Sequence, residues 1–186
     1  MRRKRVLSNP RPRIRIAVML ESILMLYLIS GLIILILAFY LLIQGAIYVP
    51  SKETAVETML SMSKIRKGER AADLGSGDGR IVIEFAKKGF SADGFEINPL
   101  LYRNSKARIE RLGLGKRAKV FYRSFWGADL SKYQVVTVFG IDYIMGRLER
   151  KLYRELKPGS RILVNIFPLP NKKYRIKKNG VYLYQV

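Results

Sequence analysis

The chain has 186 residues, enough for one globular domain plus an appendage. It contains no cysteine and no histidine, which excludes disulfides, thiolate or imidazole metal sites and any Ser-His-Asp arrangement. A balance of 35 Lys and Arg against 14 Asp and Glu gives a net charge of +21, a field that favours polyanions such as nucleic acid or an anionic membrane surface.

Residues 1–15 form a basic tail with seven basic and no acidic side chains. From residue 16 to residue 49 the only charge is Glu21, and Ile23–Ile43 is apolar apart from Ser30 and Gly31. About 20 such residues cross the hydrocarbon core as a helix. Tyr27 and Tyr48 stand near the two ends, where amphipathic rings suit the interface. The run is longer than a signal-peptide core and no small-residue cleavage site is evident. The expectation is therefore a membrane-anchor helix within residues 16–49 and a folded domain over 50–186. Ser51 is expected to cap a short helix reaching about Lys64, with Glu53 in its first turn.

Beyond that helix, apolar runs alternate with helical patterns, the signature of βαβ units and a parallel sheet. The predicted strands are Ala71–Leu74, Ser91–Glu96, Lys119–Arg123, Val135–Gly140 and Arg161–Phe167. Helices are predicted over Arg80–Lys88, Leu100–Leu112 and about Ile144–Leu156, with Gly113 and Gly159 where stops and turns are needed. Asn179-Gly180 between alternating runs makes Tyr174–Val186 a hairpin.

The chemistry concentrates at strand ends, where open α/β sheets bind their ligands. Asp73-Leu-Gly-Ser-Gly-Asp-Gly79 leads from a strand into a helix. Glycines at Gly75, Gly77 and Gly79 let backbone approach a ligand closely, and the helix start offers free N–H groups. A dinucleotide fingerprint needs a glycine where this chain has Arg80. The acidic start and tighter glycine spacing instead resemble the first motif of class I S-adenosylmethionine-dependent methyltransferases. That resemblance implies a Rossmann-like, seven-stranded sheet and S-adenosylmethionine as cofactor. Glu96 follows Gly75 by 21 residues, a spacing that suits an acid holding the two ribose hydroxyls, and Asn98 shapes the loop beside it.

Asp73 is expected to bond the ligand's amino group or to hold the glycine loop, Ser76 to lie in that loop, and Asp78 to cap the next helix or touch the ligand. Arg80 either balances the ligand's carboxylate or stands on the surface. Ser124 and Phe125 or Trp126, after the third strand, are candidates for the adenine. Asp142 and Tyr143, after the fourth, are candidates to orient an incoming amine. The Asn/Asp-Pro-Pro-aromatic run of enzymes that methylate exocyclic base nitrogens is missing, which weighs against nucleic acid as acceptor. No metal is called for.

A closer resemblance rests on Tyr48-Val-Pro-Ser51, Asp73–Ile83, Ala86–Phe90, Gly94–Pro99, Val138–Gly140 and Phe167–Pro170, in that order. Together they resemble the membrane-anchored protein-lysine methyltransferases that modify the ATP synthase c-subunit and the adenine nucleotide translocase. The resemblance implies a lysine on a membrane protein as acceptor. Anionic lipid is the partner expected from the charge. Seven basic residues before the anchor argue for a cytoplasmic N-terminus and an exported domain, whereas a domain using S-adenosylmethionine belongs where that cofactor is made; the expected localisation is a single-pass membrane protein with a cytoplasmic catalytic domain. Two positions depart from that family: no aspartate follows Ser124, and Asp142 stands where a proline is usual. The competing readings are an RNA or small-molecule methyltransferase, and a cofactor-binding membrane scaffold.

Overall fold

The computed structural model describes residues 12–44 and 51–186. Most of the basic tail, together with Tyr48, Val49 and Pro50, lies outside the described residues. The chain divides into two units, one through residue 41 and one from residue 42.

The first unit is a single helix, α1 (Pro12–Gln44). Its stretch Ile16–Tyr40 has 25 residues, a mean hydropathy of 2.7 and no buried residue. At about 1.5 Å per residue it spans roughly 37 Å, more than the ~30 Å of a hydrocarbon core. Its serines return their hydroxyls to the helix: Ser22 donates to Val18 O at 2.8 Å and Ser30 to Tyr27 O at 2.9 Å. By length and composition this helix is able to cross a bilayer.

The second unit opens with α2 (Glu53–Ser63), one residue later than a Ser51 cap requires. Lys52 occupies the cap position without a side-chain bond, and Lys64 ends the helix in a left-handed conformation. Ser51 is buried instead, and its Oγ accepts from Asn165 Nδ2 at 3.3 Å. The expected cap does not form because that hydroxyl is taken by a tertiary contact.

The remaining elements alternate as predicted: β1 (Arg70–Leu74), α3 (Arg80–Lys87), β2 (Ser91–Glu96), α4 (Pro99–Arg111), β3 (Ala118–Tyr122), β4 (Val135–Val138), α5 (Asp142–Glu155) and β5 (Arg161–Asn165). The hairpin is β6 (Ile176–Lys178) and β7 (Val181–Gln185). Asn179 and Gly180 turn it with φ of 48° and 76°, the pattern of a primed hairpin turn. The seven strands lie in the order β3-β2-β1-β4-β5-β7-β6. Strands β1 to β5 are parallel and β7 runs antiparallel to both β5 and β6. This is the seven-stranded mixed sheet that the sequence implied.

Both faces of the central strands β1, β4 and β5 are covered, so these strands are buried at successive positions. Ala71, Val135 and Leu163 pack with α2 and α3 on one face. Ala72, Val136, Val138, Ile162 and Val164 pack with Ile144, Met145, Leu148 and Leu152 of α5 on the other. Three predicted strands end early: β3 stops before Arg123, β4 before Phe139, and β5 before Ile166, whose φ is +68°.

Candidate active site

The order reverses at β1, which has β2 on one side and β4 on the other, and the glycine loop Gly75–Gly79 follows its carboxyl end. Gly75 N and Ser76 N both donate to Phe95 O at 3.0 Å, so the glycine loop hangs from the end of β2. Gly75 and Gly77 have φ of 82° and 53°, conformations that disfavour any side chain. Glu96, only 7% exposed, accepts from Gly77 N at 2.7 Å, Ile97 N at 2.8 Å and Asn98 N at 2.7 Å. One carboxylate therefore ties the glycine loop to the turn between β2 and α4. It retains acceptor capacity, since two carboxylate oxygens offer about four lone-pair sites.

Asp73 lies directly across from Thr137 in the β1–β4 register and accepts from its Oγ1 at 2.8 Å. Burial, opposed by that bond and reinforced by the nearby charges of Glu96 and Asp78, pushes the Asp73 carboxyl up to about 7. No basic side chain pairs with it among the described residues. Sequence patterns do not single out Thr137; its only signal is one hydroxyl in the apolar run Val135–Val138.

Other side chains depart from their expected roles. The cap position of α3 belongs to Gly79, but Asp78 Oδ1 accepts from the first helical amide, Arg80 N, at 3.3 Å, so the expected cap forms in part from one residue earlier. The Asp78 carboxylate also takes Arg80 Nε at 2.9 Å, Arg80 Nη2 at 3.0 Å and Arg108 Nη1 at 3.2 Å. Burial opposes ionisation there, yet the two guanidiniums hold the carboxyl below its ordinary range. Arg80 also donates to Ser51 O at 2.8 Å, so it is engaged with the protein rather than facing open solvent. The Ser76 side chain is buried against β2: a Cβ added at Gly94 would lie 2.6 Å from Ser76 Oγ and 2.7 Å from its Cβ. Asn98 caps α4, accepting from Leu100 N at 2.9 Å and Leu101 N at 3.2 Å.

Ser124 accepts from Trp126 N at 3.3 Å and starts a 3₁₀ turn, Phe125–Gly127. That turn drives Phe125 into the core on the α5 face, so the adenine contact expected of Phe125 is not available. Trp126 is half-buried with the Arg147 guanidinium 4.2 Å from its ring centre. Asp142 and Tyr143 lie in the first turn of α5, beyond the end of β4, and both are exposed. Among the described residues no group of three metal-ligating side chains occurs.

Strand order, glycine loop and acidic strand ends together define an S-adenosylmethionine-dependent methyltransferase domain of class I. Residues 73–175 match the ANTKMT methyltransferase domain, and the chain belongs to that family. The human lysine N-methyltransferase of the ATP synthase c-subunit is 41% identical over 124 residues, covering 67% of this chain and 53% of the relative. A protein-lysine N-methyltransferase of Saccharolobus islandicus is 38% identical over 150 residues, covering 75% of this chain and 92% of the relative. The chain spans about half the length of the human and Xenopus laevis c-subunit methyltransferases it matches. Among solved structures, an RNA methyltransferase from Salinibacter ruber in complex with S-adenosyl-L-homocysteine superposes with a TM-score of 0.70 at 27% identity, covering 74% of this chain and 93% of that one. The residues fit such a ligand. Space above Gly75 is open, since an added Cβ there meets nothing within 4 Å, and the buried Asp73 carboxylate faces no cation among the described residues.

Proposed function

We propose that this chain is a membrane-anchored protein-lysine methyltransferase acting on a membrane-associated polypeptide. The observation that carries the reading is the Glu96-tied glycine loop beside the buried Asp73, in a domain 38–41% identical to protein-lysine N-methyltransferases. Glu96 would hold the ribose hydroxyls and Asp73 the ligand's ammonium. The amides of Gly75, Ser76 and Gly77 would line its main chain, with Asn98 and Ser124 shaping the adenosine end. Asp78 acts by fixing Arg80, and Gly79 by starting α3. Bound S-adenosylmethionine would supply an electrophilic sulfonium methyl to a neutral acceptor amine, the lysine ammonium having first given its proton to solvent.

The side chains contribute alignment, which at best supplies about 7–11 kcal/mol of barrier reduction. Asp142 and Tyr143 orient the incoming amine at the end of β4. A desolvated approach favours the neutral amine, so no strong general base is required. In this reading α1 anchors the chain by a single crossing, the catalytic domain is cytoplasmic, and its positive charge suits an anionic leaflet.

Incubating the full chain with labelled S-adenosylmethionine and separate membrane, cytosolic and RNA fractions tests this, with Asp73→Ala as control. Label on a lysine of a membrane polypeptide, lost in the control, is expected; label confined to RNA overturns it. The basic charge and the Salinibacter neighbour favour RNA as the second reading. Retention of the protein in membranes after alkaline carbonate washing checks the anchor, and release into the wash refutes it.

A further inference from the structure

The carboxyl ends of β4 and β5 hold an anomaly that the cofactor loop does not use. Ile166 has φ +68°, a region where a β-branched residue is an outlier. Phe167 N donates to Asn165 O at 2.9 Å, so the three residues close a γ-turn about a positive-φ centre, the rare and strained kind. The surroundings hold it from several sides. Ile166 N donates to Gly180 O at 2.9 Å, Leu169 N to Tyr184 Oη at 2.9 Å, and Asn171 N to Glu149 Oε2 at 2.9 Å. Backbone strain that is over-determined in this way clusters where a site needs a side chain held in place.

The side chain that this turn delivers is Phe167. Its ring lies 6.4 Å from that of Phe139, with 49° between the planes. Phe139 follows Val138, which pairs with Leu74, the residue before Gly75. The two rings therefore belong to the strand ends one and two places along the sheet from the glycine loop, at about 4.8 Å per strand. Both are half-buried, not sealed in the core. Trp126 is already covered by Arg147, whereas among the described residues no cation stands over Phe139 or Phe167.

We propose that Phe139 and Phe167 form an aromatic wall for the acceptor's lysine side chain and so determine acceptor specificity. This rests on the lysine reading above. Two apolar rings match a four-carbon aliphatic stem, and their faces attract the positive charge on the methylated nitrogen. The strain at Ile166 is then the cost of holding Phe167 against Phe139 rather than letting it continue along β5.

The test uses full-chain Phe139→Leu, Phe167→Leu and Phe167→Tyr in detergent. Four quantities are measured: acceptor KM against kcat, S-adenosylhomocysteine affinity by calorimetry, Tm, and saturation-transfer NMR binding of Nα-acetyl-trimethyllysine methylamide against its neutral tert-butyl carbon analogue. Each Leu variant is expected to lose about tenfold in kcat/KM for the acceptor and the preference for the cationic probe. S-adenosylhomocysteine affinity stays within about twofold, and Phe167→Tyr keeps the preference. Parallel loss of S-adenosylhomocysteine affinity and Tm would reduce the pair to core packing and overturn the proposal. So would Leu variants with unchanged acceptor kinetics and probe preference on a protein-lysine product, which leaves the lysine reading standing. Methyl transfer by the wild type to RNA alone overturns both.

Discussion

Thr137 Oγ1 donates to the Asp73 carboxylate at 2.8 Å across the β1–β4 boundary, where the order of the sheet reverses. The bond joins the acid that starts the glycine loop to the strand that leads toward the acceptor side. With the Asp73 carboxyl raised to about 7, near-neutral pH decides whether that acid is charged. A folded-state value above the ordinary one means that the folded, cofactor-free protein binds this proton more tightly than the unfolded chain does. Ionised Asp73 therefore costs stability above pH ~7, and the cost disappears as the pH falls through the folded value toward the unfolded one.

Cofactor binding runs the other way, because an ammonium needs the ionised acid. S-adenosylmethionine affinity should rise between about pH 6 and pH 8 and level off above, falling by up to about tenfold per unit below the folded value. Asp73→Asn should flatten that profile while raising the Tm of the cofactor-free protein more at about pH 8 than at about pH 6. Calorimetric titrations across the range check it; a flat wild-type profile contradicts it.

Glu96 serves three backbone amides at once, so its loss strikes the loop as well as the ligand. Glu96→Ala leaves those amides without their carboxylate, at about 1–3 kcal/mol for each that water cannot reach. The variant should lose more than about tenfold in cofactor affinity and show a lower Tm even without cofactor. Scanning calorimetry with and without S-adenosylhomocysteine separates the two effects, and an unchanged cofactor-free Tm would count against the loop-tying role.

Gly94 has no assigned ligand contact, yet β2 tolerates nothing larger there. A methyl group at that position would press on Ser76 and come within 3.0 Å of Val82 Cγ2. Gly94→Ala should cost about 1–3 kcal/mol by overpacking and weaken cofactor binding by displacing the loop. The double variant Gly94→Ala with Ser76→Gly should recover part of both. Denaturant melts of the four proteins measure the coupling; strictly additive effects would show that the two positions do not meet.

The Tyr184 hydroxyl is buried and accepts from Leu169 N at 2.9 Å. Tyr184→Phe removes that acceptor and leaves the Leu169 amide unpaired, a loss of about 1–3 kcal/mol. Cofactor affinity should be unaffected, while methyl transfer falls as the loop after β5 loosens. Titration with S-adenosylhomocysteine beside an acceptor assay checks the split, and equal losses in both would refute it.

Much of this arrangement is written locally in the sequence. Alternating apolar runs, the glycine motif and Asn179-Gly180 mark elements by period and turn chemistry, which need no knowledge of neighbours. Glu96 is found from its distance to Gly75 because the βαβ unit fixes that spacing. What stays hidden depends on partners far along the chain. Thr137 is anonymous until β4 is laid beside β1, 64 residues away from Asp73. Ser51 reads as a cap until Asn165, 114 residues on, claims its hydroxyl. Asn165-Ile-Phe167 contains no glycine, so a strand continuing to Phe167 is the natural expectation. The turn exists because tertiary contacts force Ile166 into a conformation its own chemistry disfavours. Phe125 points inward for a similar reason, since the 3₁₀ turn begun by Ser124 sets its direction.

Strand β7 sits between β5 and β6, though it is made after both. Tyr184 follows Leu169 by 15 residues, on the order of one second of ribosomal synthesis. The parallel strands that carry Asp73, Glu96 and the glycine loop are complete before β7 emerges. The antiparallel strand that anchors the loop bearing Phe167 is thus the last element of the sheet to be made. Until that strand is in place, the loop bearing Phe167 lacks the Tyr184 hydroxyl that holds the Leu169 amide.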